Sequence, residues 1–395
     1  MTVTSGNSSL GAAKTAKNDE FYTQYSDIEA EMNAYVEYDP DVFRGKTVLL
    51  PCDDPEWSNF TKYFAANFER FGLKKLISTS YAKGAGNRQL SLFEQQSPLF
   101  DEVMHETHGK LFTLTRDRDG SGSIDTDDIE FSGYLEGDGD FRSAEVTALR
   151  DEADIIITNP PFSQFTSKKG KIGFLAWIMQ ANKQFIVMGN KNSVTHREVF
   201  PLIKENKIWI GYRNMNQDFW LRVPEGYAYE KIDVDGTPIK HINACWYTNI
   251  EHGRRHEPLL LDTMAHNIKF NKALLKRLDK DYGVSEYPYF DNYRALEVPI
   301  VEAIPSDYDG VMGVPRTFLG SYNPDQFEIV GRDADIDWAV NECNFFTPPN
   351  QEIQDAYKKM DKTWRVQIAY IAKDGVPKNI FARVFIRPKK KRVDA

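Results

Sequence analysis

The stretch Ala153-Asp154-Ile155-Ile156-Ile157-Thr158-Asn159-Pro160-Pro161-Phe162 decides the fold. Its apolar run is short, β-branched and closed by prolines, which predicts a buried central strand of a parallel sheet ending in a stiff loop. Ligands of open α/β sheets sit beyond the carboxyl ends of such strands, so Asn159 stands where chemistry takes place. The Asn159 side-chain oxygen and the Pro160 carbonyl can both accept hydrogen bonds from an exocyclic amine, leaving its lone pair to attack an electrophilic methyl group. Pro160 and Pro161 fix that geometry in advance. Phe162 reads as an exposed aromatic that stacks on the base carrying the amine, a base that must be swung out of a duplex. The pattern points to amino-group methylation. A plain strand end that carries two prolines is the alternative.

On the N-terminal side, Ile28, Met32 and Tyr35 recur at helical spacing, and Thr47-Val48-Leu49-Leu50 predicts a buried strand. A helix is expected from near Glu56 through Phe60, Phe64 and Phe68 to Gly72, followed by the strand Leu76-Ile77-Ser78-Thr79-Ser80. Strand, helix and strand in this order make a βαβ unit. Residues 84–132 are polar and read as an irregular insertion. Helices are expected over 144–149 and 174–181, and strands at 184–188, 208–210 and 244–247, the last suited to an antiparallel pair near a sheet edge. Beyond about Leu260 aromatic residues cluster and prolines recur, marking a second, smaller module.

Composition bounds the reading. The 395 residues are 41% hydrophobic and 27% charged, which is ordinary for a globular protein of about two domains. No apolar run approaches the ~18 residues of a membrane span. Residues 1–16 are small and polar, so a flexible lead is expected there and no secretory signal, and with it a cytoplasmic protein. Cys52, Cys245 and Cys343 are too far apart to suggest a zinc site or a disulfide framework, and read as reduced thiols. A net charge of -9 argues against non-specific coating of nucleic acid. The run Arg387-Pro388-Lys389-Lys390-Lys391-Arg392 is a local basic exception or a solvated tail.

Doubly wound sheets hold a cofactor where the strand order reverses, so the first strand end is the second candidate site. The usual glycine-rich turn is replaced by Pro51-Cys52-Asp53-Asp54-Pro55 with Ser58 and Asn59, groups that suit an ammonium, hydroxyls, or the N-cap of the next helix. Gly137 to Ser143 offers Asp140 to an adenine amino group with Phe141 against the ring, or is a tight glycine turn. Lys17-Asn18-Asp19-Glu20-Phe21-Tyr22-Thr23 joins charge, aromatic and hydroxyl at a helix start. Residues 117–128 carry oxygen side chains at the spacing of a calcium loop, but Asp128 replaces the usual bidentate Glu and the flanks look like strands, which favours an acidic hairpin turn. The seven histidines show no metal-ligand spacing, so no catalytic metal is expected.

Together these residues resemble the EcoRI-type adenine-specific DNA methyltransferases, from Lys17 to about Arg387. The likeness is carried by residues 17–23, Cys52-Asp53-Asp54-Pro55 with Ser58-Asn59-Phe60, residues 137–143 and Asn159-Pro160-Pro161-Phe162. Met312-Gly313-Val314-Pro315 and Tyr322-Asn323-Pro324-Asp325-Gln326-Phe327 add to it. The resemblance implies a Rossmann-like α/β sheet with helices on both faces over 17–260, and a target-recognition region over 261–395. It implies S-adenosylmethionine as cofactor and N6 of a flipped adenine in double-stranded DNA as acceptor. Asn159, Pro160, Pro161 and Phe162 would be catalytic. Lys17, Phe21, Tyr22, Thr23, Pro51, Cys52, Asp53, Asp54, Ser58, Asn59, Ser80, Asp140, Phe141 and Asn159 would line the cofactor. A monomer is implied, with a cognate restriction endonuclease that forms no stable complex. The second strand ends without the usual ribose-binding acid. Methylation of RNA guanine or protein glutamine, and a non-catalytic DNA-binding or calcium-binding protein, are the rival readings.

Overall fold

The computed structural model describes residues 23–55, 58–82, 97–213, 215–223, 228–291, 293–333, 355, 370–372, 375–376, 380 and 382–389. It divides into two compact units, one of Met1–Val199 with Ile208–Gly253, the other of Phe200–Lys207 with Arg254–Ala395.

The larger unit is built on an eight-stranded sheet: β1 (Thr47–Leu50), β2 (Lys75–Ser80), β3 (Lys110–Leu114), β4 (Glu130–Tyr134), β5 (Ile155–Thr158), β6 (Gln184–Asn190), β7 (Trp209–Ile210) and β11 (Ala244–Thr248), in the order β4-β3-β2-β1-β5-β6-β11-β7. β2, β1, β5 and β6 are parallel, with Val48 opposite Ile155 and Thr158 opposite Val187. Every residue of β1 and β5 is buried, as expected for strands covered on both faces. β11 runs antiparallel between β6 and β7.

Helix α1 (Tyr25–Tyr38) buries Ile28, Met32 and Tyr35. Its Glu31 carboxylate accepts the backbone N–H groups of Tyr212 and Arg213, which ties the helix to the chain after β7. Only glycine fits at Gly211, because a Cβ there would lie 2.1 Å from Glu31 Oε1. The helix expected from Glu56 begins instead at Asn59, with Ser58 as N-cap, and α2 (Asn59–Ala66) breaks at Asn67 before a further turn, Phe68–Phe71. α3 (Ala144–Glu152) and α4 (Phe174–Gln180) flank β5 in sequence.

The stretch read as an irregular insertion contributes two strands. Lys110, Phe112 and Leu114 alternate inward along β3, and β3 and β4 extend the sheet antiparallel to β2. Residues 83–96 lie outside the described residues. A second sheet of this unit, β8 (Phe219–Arg222), β9 (Lys231–Ile232) and β10 (Pro238–Ile242), has the order β8-β10-β9 and is antiparallel throughout.

The smaller unit holds a four-stranded sheet of β12 (Leu296–Glu297), β13 (Met312–Pro315), β14 (Phe327–Arg332) and β15 (Arg383–Pro388), ordered β12-β13-β15-β14. Its core contains a buried ion pair, Arg383 with Glu297 at 2.6 Å, and the Tyr282 hydroxyl donates to the same carboxylate. Arg387, read from sequence as part of a local basic run or of a solvated tail, sits in β15 and pairs with Glu328 at 2.7 Å. Among the described residues Cys52 and Cys245 form no disulfide; Cys343 lies outside the described residues. Among the described residues, no helix is long and apolar enough to cross a membrane.

Candidate active site

The chain leaves β1 for β2 on one side and β5 for β6 on the other, so the carboxyl ends of β1 and β5 flank the switch point. Asn159 is the first residue after β5 and is half-buried; Pro160 behind it is buried. Asn159 Nδ2 donates to Thr23 Oγ1 at 3.3 Å, and Thr23 Oγ1 in turn donates to the Met188 sulfur at 3.2 Å. A thioether can only accept, so the Thr23 proton points away from Asn159, and Thr23 must receive the amide N–H. That fixes which way the Asn159 amide faces. Asn59 Nδ2 holds the Thr23 carbonyl at 2.8 Å. Lys17, Phe21 and Tyr22 lie outside the described residues.

At the end of β1, Cys52 adopts φ 77, left-handed backbone rarely taken by a side-chain-bearing residue. The turn drives Asp53 inward. Asp53 is 6% exposed, with Oδ1 2.6 Å from Ser58 Oγ and Oδ2 2.6 Å from Thr158 Oγ1. Both carboxyl oxygens thus meet the protein's own hydroxyls, and Asp53 joins the β1 and β5 ends. Burial pushes its carboxyl up to about 7, with the Ser58 and Thr158 hydrogen bonds opposing. Asp54 and Asn59 stay half-exposed at the rim, and Pro51 is buried with its carbonyl accepting Thr158 Oγ1.

Ser80 closes β2. Its hydroxyl is buried and has no hydrogen-bond partner among the described residues. Against it packs the turn at Gly139, where φ is +83 and a Cβ would lie 2.4 Å from the Ser80 carbonyl. Asp140 accepts the Arg142 backbone N–H and two contacts from the Arg142 guanidinium. Phe141 is 3% exposed and lies edge-on to Phe174 and Trp177, with Arg142 over its face. The ring belongs to the core, not to a ligand-facing wall.

Phe162 also departs from its reading as an exposed platform. The chain turns after Pro161 into a short 3-10 turn, Phe162–Gln164, which directs the ring into the core, where it is 8% exposed. Stacking on a flipped base requires this ring to be uncovered. Phe162→Leu, which keeps an apolar side chain of similar reach, is therefore expected to lower unfolding stability by about 1 kcal/mol in urea titrations, with cofactor binding unchanged.

The loop of residues 117–128 joins β3 to β4 as a hairpin connection. Carboxylate oxygens of Asp117, Asp119 and Asp128 lie within 4.8 Å of one another. Backbone N–H groups of Arg118, Asp119 and Asp125 donate to Asp128. Burial raises its pKa, but these bonds outweigh burial and leave it below the ordinary value.

The sequence profile described as "Adenine-specific methyltransferase EcoRI" matches residues 9–389. The chain belongs to the EcoRI adenine-specific methyltransferase family. It is 40% identical over 330 residues to the Type II methyltransferase M.EcoRI of Escherichia coli, covering 82% of this chain and 89% of that protein. The Type II methyltransferase M.MpnI of Mycoplasma pneumoniae is 32% identical over 328 residues, 80% of this chain and 83% of its own. M.MgeORF184P of Mycoplasma genitalium is 33% identical over 326 residues, 80% and 84% respectively. No solved structure matches. The protein is thus an adenine-specific methyltransferase, and its family implies S-adenosylmethionine as methyl donor and DNA as substrate. The residues present suit such a cofactor: the orphaned, buried Ser80 hydroxyl stands at the β2 end, where a ribose is ordinarily met.

Thr158 and Met188 were not singled out from sequence. Their partners are 105 and 165 residues away. The sequence signal for Thr158 is a threonine that ends an apolar strand directly before Asn159.

Proposed function

We propose that the residues around Asn159 carry out N6-adenine methylation by positioning alone, without a covalent enzyme intermediate. The observation that supports this reading is the one-way hydrogen-bond chain from Asn159 Nδ2 through Thr23 to Met188, which leaves Asn159 Oδ1 facing away from Thr23 and suited to accept from the adenine amine. The Pro160 carbonyl accepts the second N–H, and the nitrogen lone pair is left to attack. S-adenosylmethionine, when bound, supplies the electrophilic methyl on a sulfonium sulfur. The N–C bond forms as the S–C bond breaks, and the amine proton passes to solvent. Asp54, Asn59 and Ser80 are the groups that would hold the cofactor's polar parts, with Pro51 and Cys52 shaping the wall.

Thr23→Val keeps the shape but removes the hydroxyl. Its expected effect is a fall in kcat of about 10-fold, near the worth of one oriented hydrogen bond, with cofactor affinity unchanged and Thr23→Ser restoring turnover. Single-turnover kinetics on DNA checks this.

The smaller unit, including residues 261–395, is proposed as the target-recognition region. The first 253 residues carry 27 Lys and Arg against 37 Asp and Glu, whereas the remainder carries 22 against 21, so the C-terminal part repels phosphates far less. A monomer acting in the cytoplasm, alongside a restriction endonuclease but not bound to it, completes the proposal. The test is long-read sequencing of DNA from a methylation-free host that expresses the protein. N6-methyladenine at one recurring motif supports the reading; unmodified DNA, with the protein folded and binding S-adenosylmethionine, moves the acceptor to RNA or protein.

A further inference from the structure

The three-stranded sheet of β8, β10 and β9 lies within the larger unit and is not needed to complete the eight-stranded sheet. Its pairing register sorts its side chains. Phe219 and Ile242 are opposite one another, as are Leu221 and Lys240. Phe219, Leu221 and Ile242 are buried in the hydrophobic core, and Phe219 meets Trp246 of β11. The opposite face therefore carries Trp220 paired with His241, Arg222 paired with Ile239, and Lys231, which also pairs with Ile239. The contacts agree: Lys231 Nζ lies 3.8 Å over the Trp220 ring, and His241 meets that ring edge-on. Arg222 and Lys231 are exposed. Of the acids near this face, Asp218 is engaged with His241 at 2.9 Å and Asp235 interacts with Arg222, which leaves Lys231 as the cation not set against a carboxylate in these contacts.

The position of this sheet matters as much as its composition. Lys191, directly after β6, donates through Nζ to the Gln217 carbonyl at 2.7 Å and through its backbone to the Asn243 carbonyl at 3.0 Å. Gln217 and Asn243 lie just before β8 and just after β10, so the small sheet is fastened to the carboxyl end of β6. β5 is parallel to β6, and its carboxyl end carries Asn159. Two exposed cations with an aromatic thus stand on the same end of the fold as the methylation site, in a part of the chain that is otherwise strongly acidic.

We propose that the Trp220, Arg222 and Lys231 face of this sheet is a DNA-contacting surface, meeting backbone phosphates of the duplex that flanks the flipped adenine. This rests on the methylation reading of Asn159, because that reading brings the duplex to this end of the sheet. Two antiparallel strands are of a width that the major groove admits, and cations beside an aromatic are the usual footprint of phosphate contact. The surface belongs to the catalytic unit and adds to any target recognition by the smaller one.

The experiment measures DNA affinity against salt concentration, together with S-adenosylmethionine affinity, for the full chain and for Lys231→Gln, Arg222→Gln and the double variant. The expected result is a loss of about 10-fold in DNA affinity in the double variant, a salt slope shallower by about one per cation removed, and unchanged cofactor binding. Lys74→Gln, an exposed lysine at the opposite, amino end of β2, is the control and should change neither. Wild-type affinity and slope in the double variant, or an equal loss in Lys74→Gln, overturns the proposal. If the double variant misfolds, the exposed edge-strand change Lys231→Gln alone decides it by the same slope. A wild-type protein that methylates no DNA and binds none would instead overturn the underlying reading.

Discussion

Asn159→Ala is expected to reduce methyl transfer by at least about 10³-fold, or about 4 kcal/mol in the barrier, while the fold and cofactor affinity stay close to wild type. The size follows from what the side chain does. An exocyclic adenine amine is conjugated with its ring and is a poor nucleophile; it becomes reactive when both N–H groups are held and the lone pair is turned toward the methyl. In the proposed mechanism Asn159 Oδ1 and the Pro160 carbonyl share that work, and alanine leaves only the carbonyl. Loss of the amide also leaves Thr23 without its donor, but Thr23 keeps its bonds to Met188 and Asn59, so the local structure is retained. Single-turnover rates with saturating DNA and S-adenosylmethionine, together with calorimetric cofactor titration, check both halves. Turnover within about 10-fold of wild type would remove Asn159 from the reacting centre.

Much of this site was legible because strand ends leave strong marks. Ile155 to Thr158 closed by two prolines, and Thr47 to Leu50 closed by Pro51, read directly as central strands, and both are fully buried. Side-chain direction was not legible. Phe162 looked like an exposed ring, and Phe141 like a wall for an adenine or part of a glycine turn; a 3-10 turn in one case and packing against Phe174 and Trp177 in the other take them inward. Partners distant in sequence were equally hidden, as with Thr23 and Asn159, 136 residues apart. The small antiparallel sheet did leave a trace that went unread: Asp235-Gly236, a turn pair, precedes the alternating segment Pro238–Ile242. Its lysines and histidine diluted the apolar pattern because one face is not part of the core.

Asp53, read from sequence as a cofactor contact or a helix cap, bridges two strand ends in the structure and makes the last prediction. Thr158 Oγ1 carries one hydrogen, yet it lies 2.6 Å from the Pro51 carbonyl and 2.6 Å from Asp53 Oδ2. One hydrogen cannot serve both acceptors at that distance. Both contacts are satisfied when Asp53 is protonated and donates to Thr158, which donates to Pro51. Burial pushes the Asp53 carboxyl up to about 7, against an ordinary value near 3.8, which agrees with that assignment. A folded pKa raised above the unfolded one means that the folded state holds the proton more tightly. The associated stability is fully present below about pH 4 and is lost as pH rises through about 7. Asp53→Asn copies the neutral form and does not ionise, so its stability relative to wild type should rise by about 2–3 kcal/mol between pH 5 and pH 8, with cofactor affinity little changed. Denaturant unfolding at the two pH values measures the first, and calorimetry the second. A constant difference between the two proteins across that range, with cofactor affinity at least 10-fold weaker in the variant, would mean that Asp53 is ionised and meets the cofactor directly.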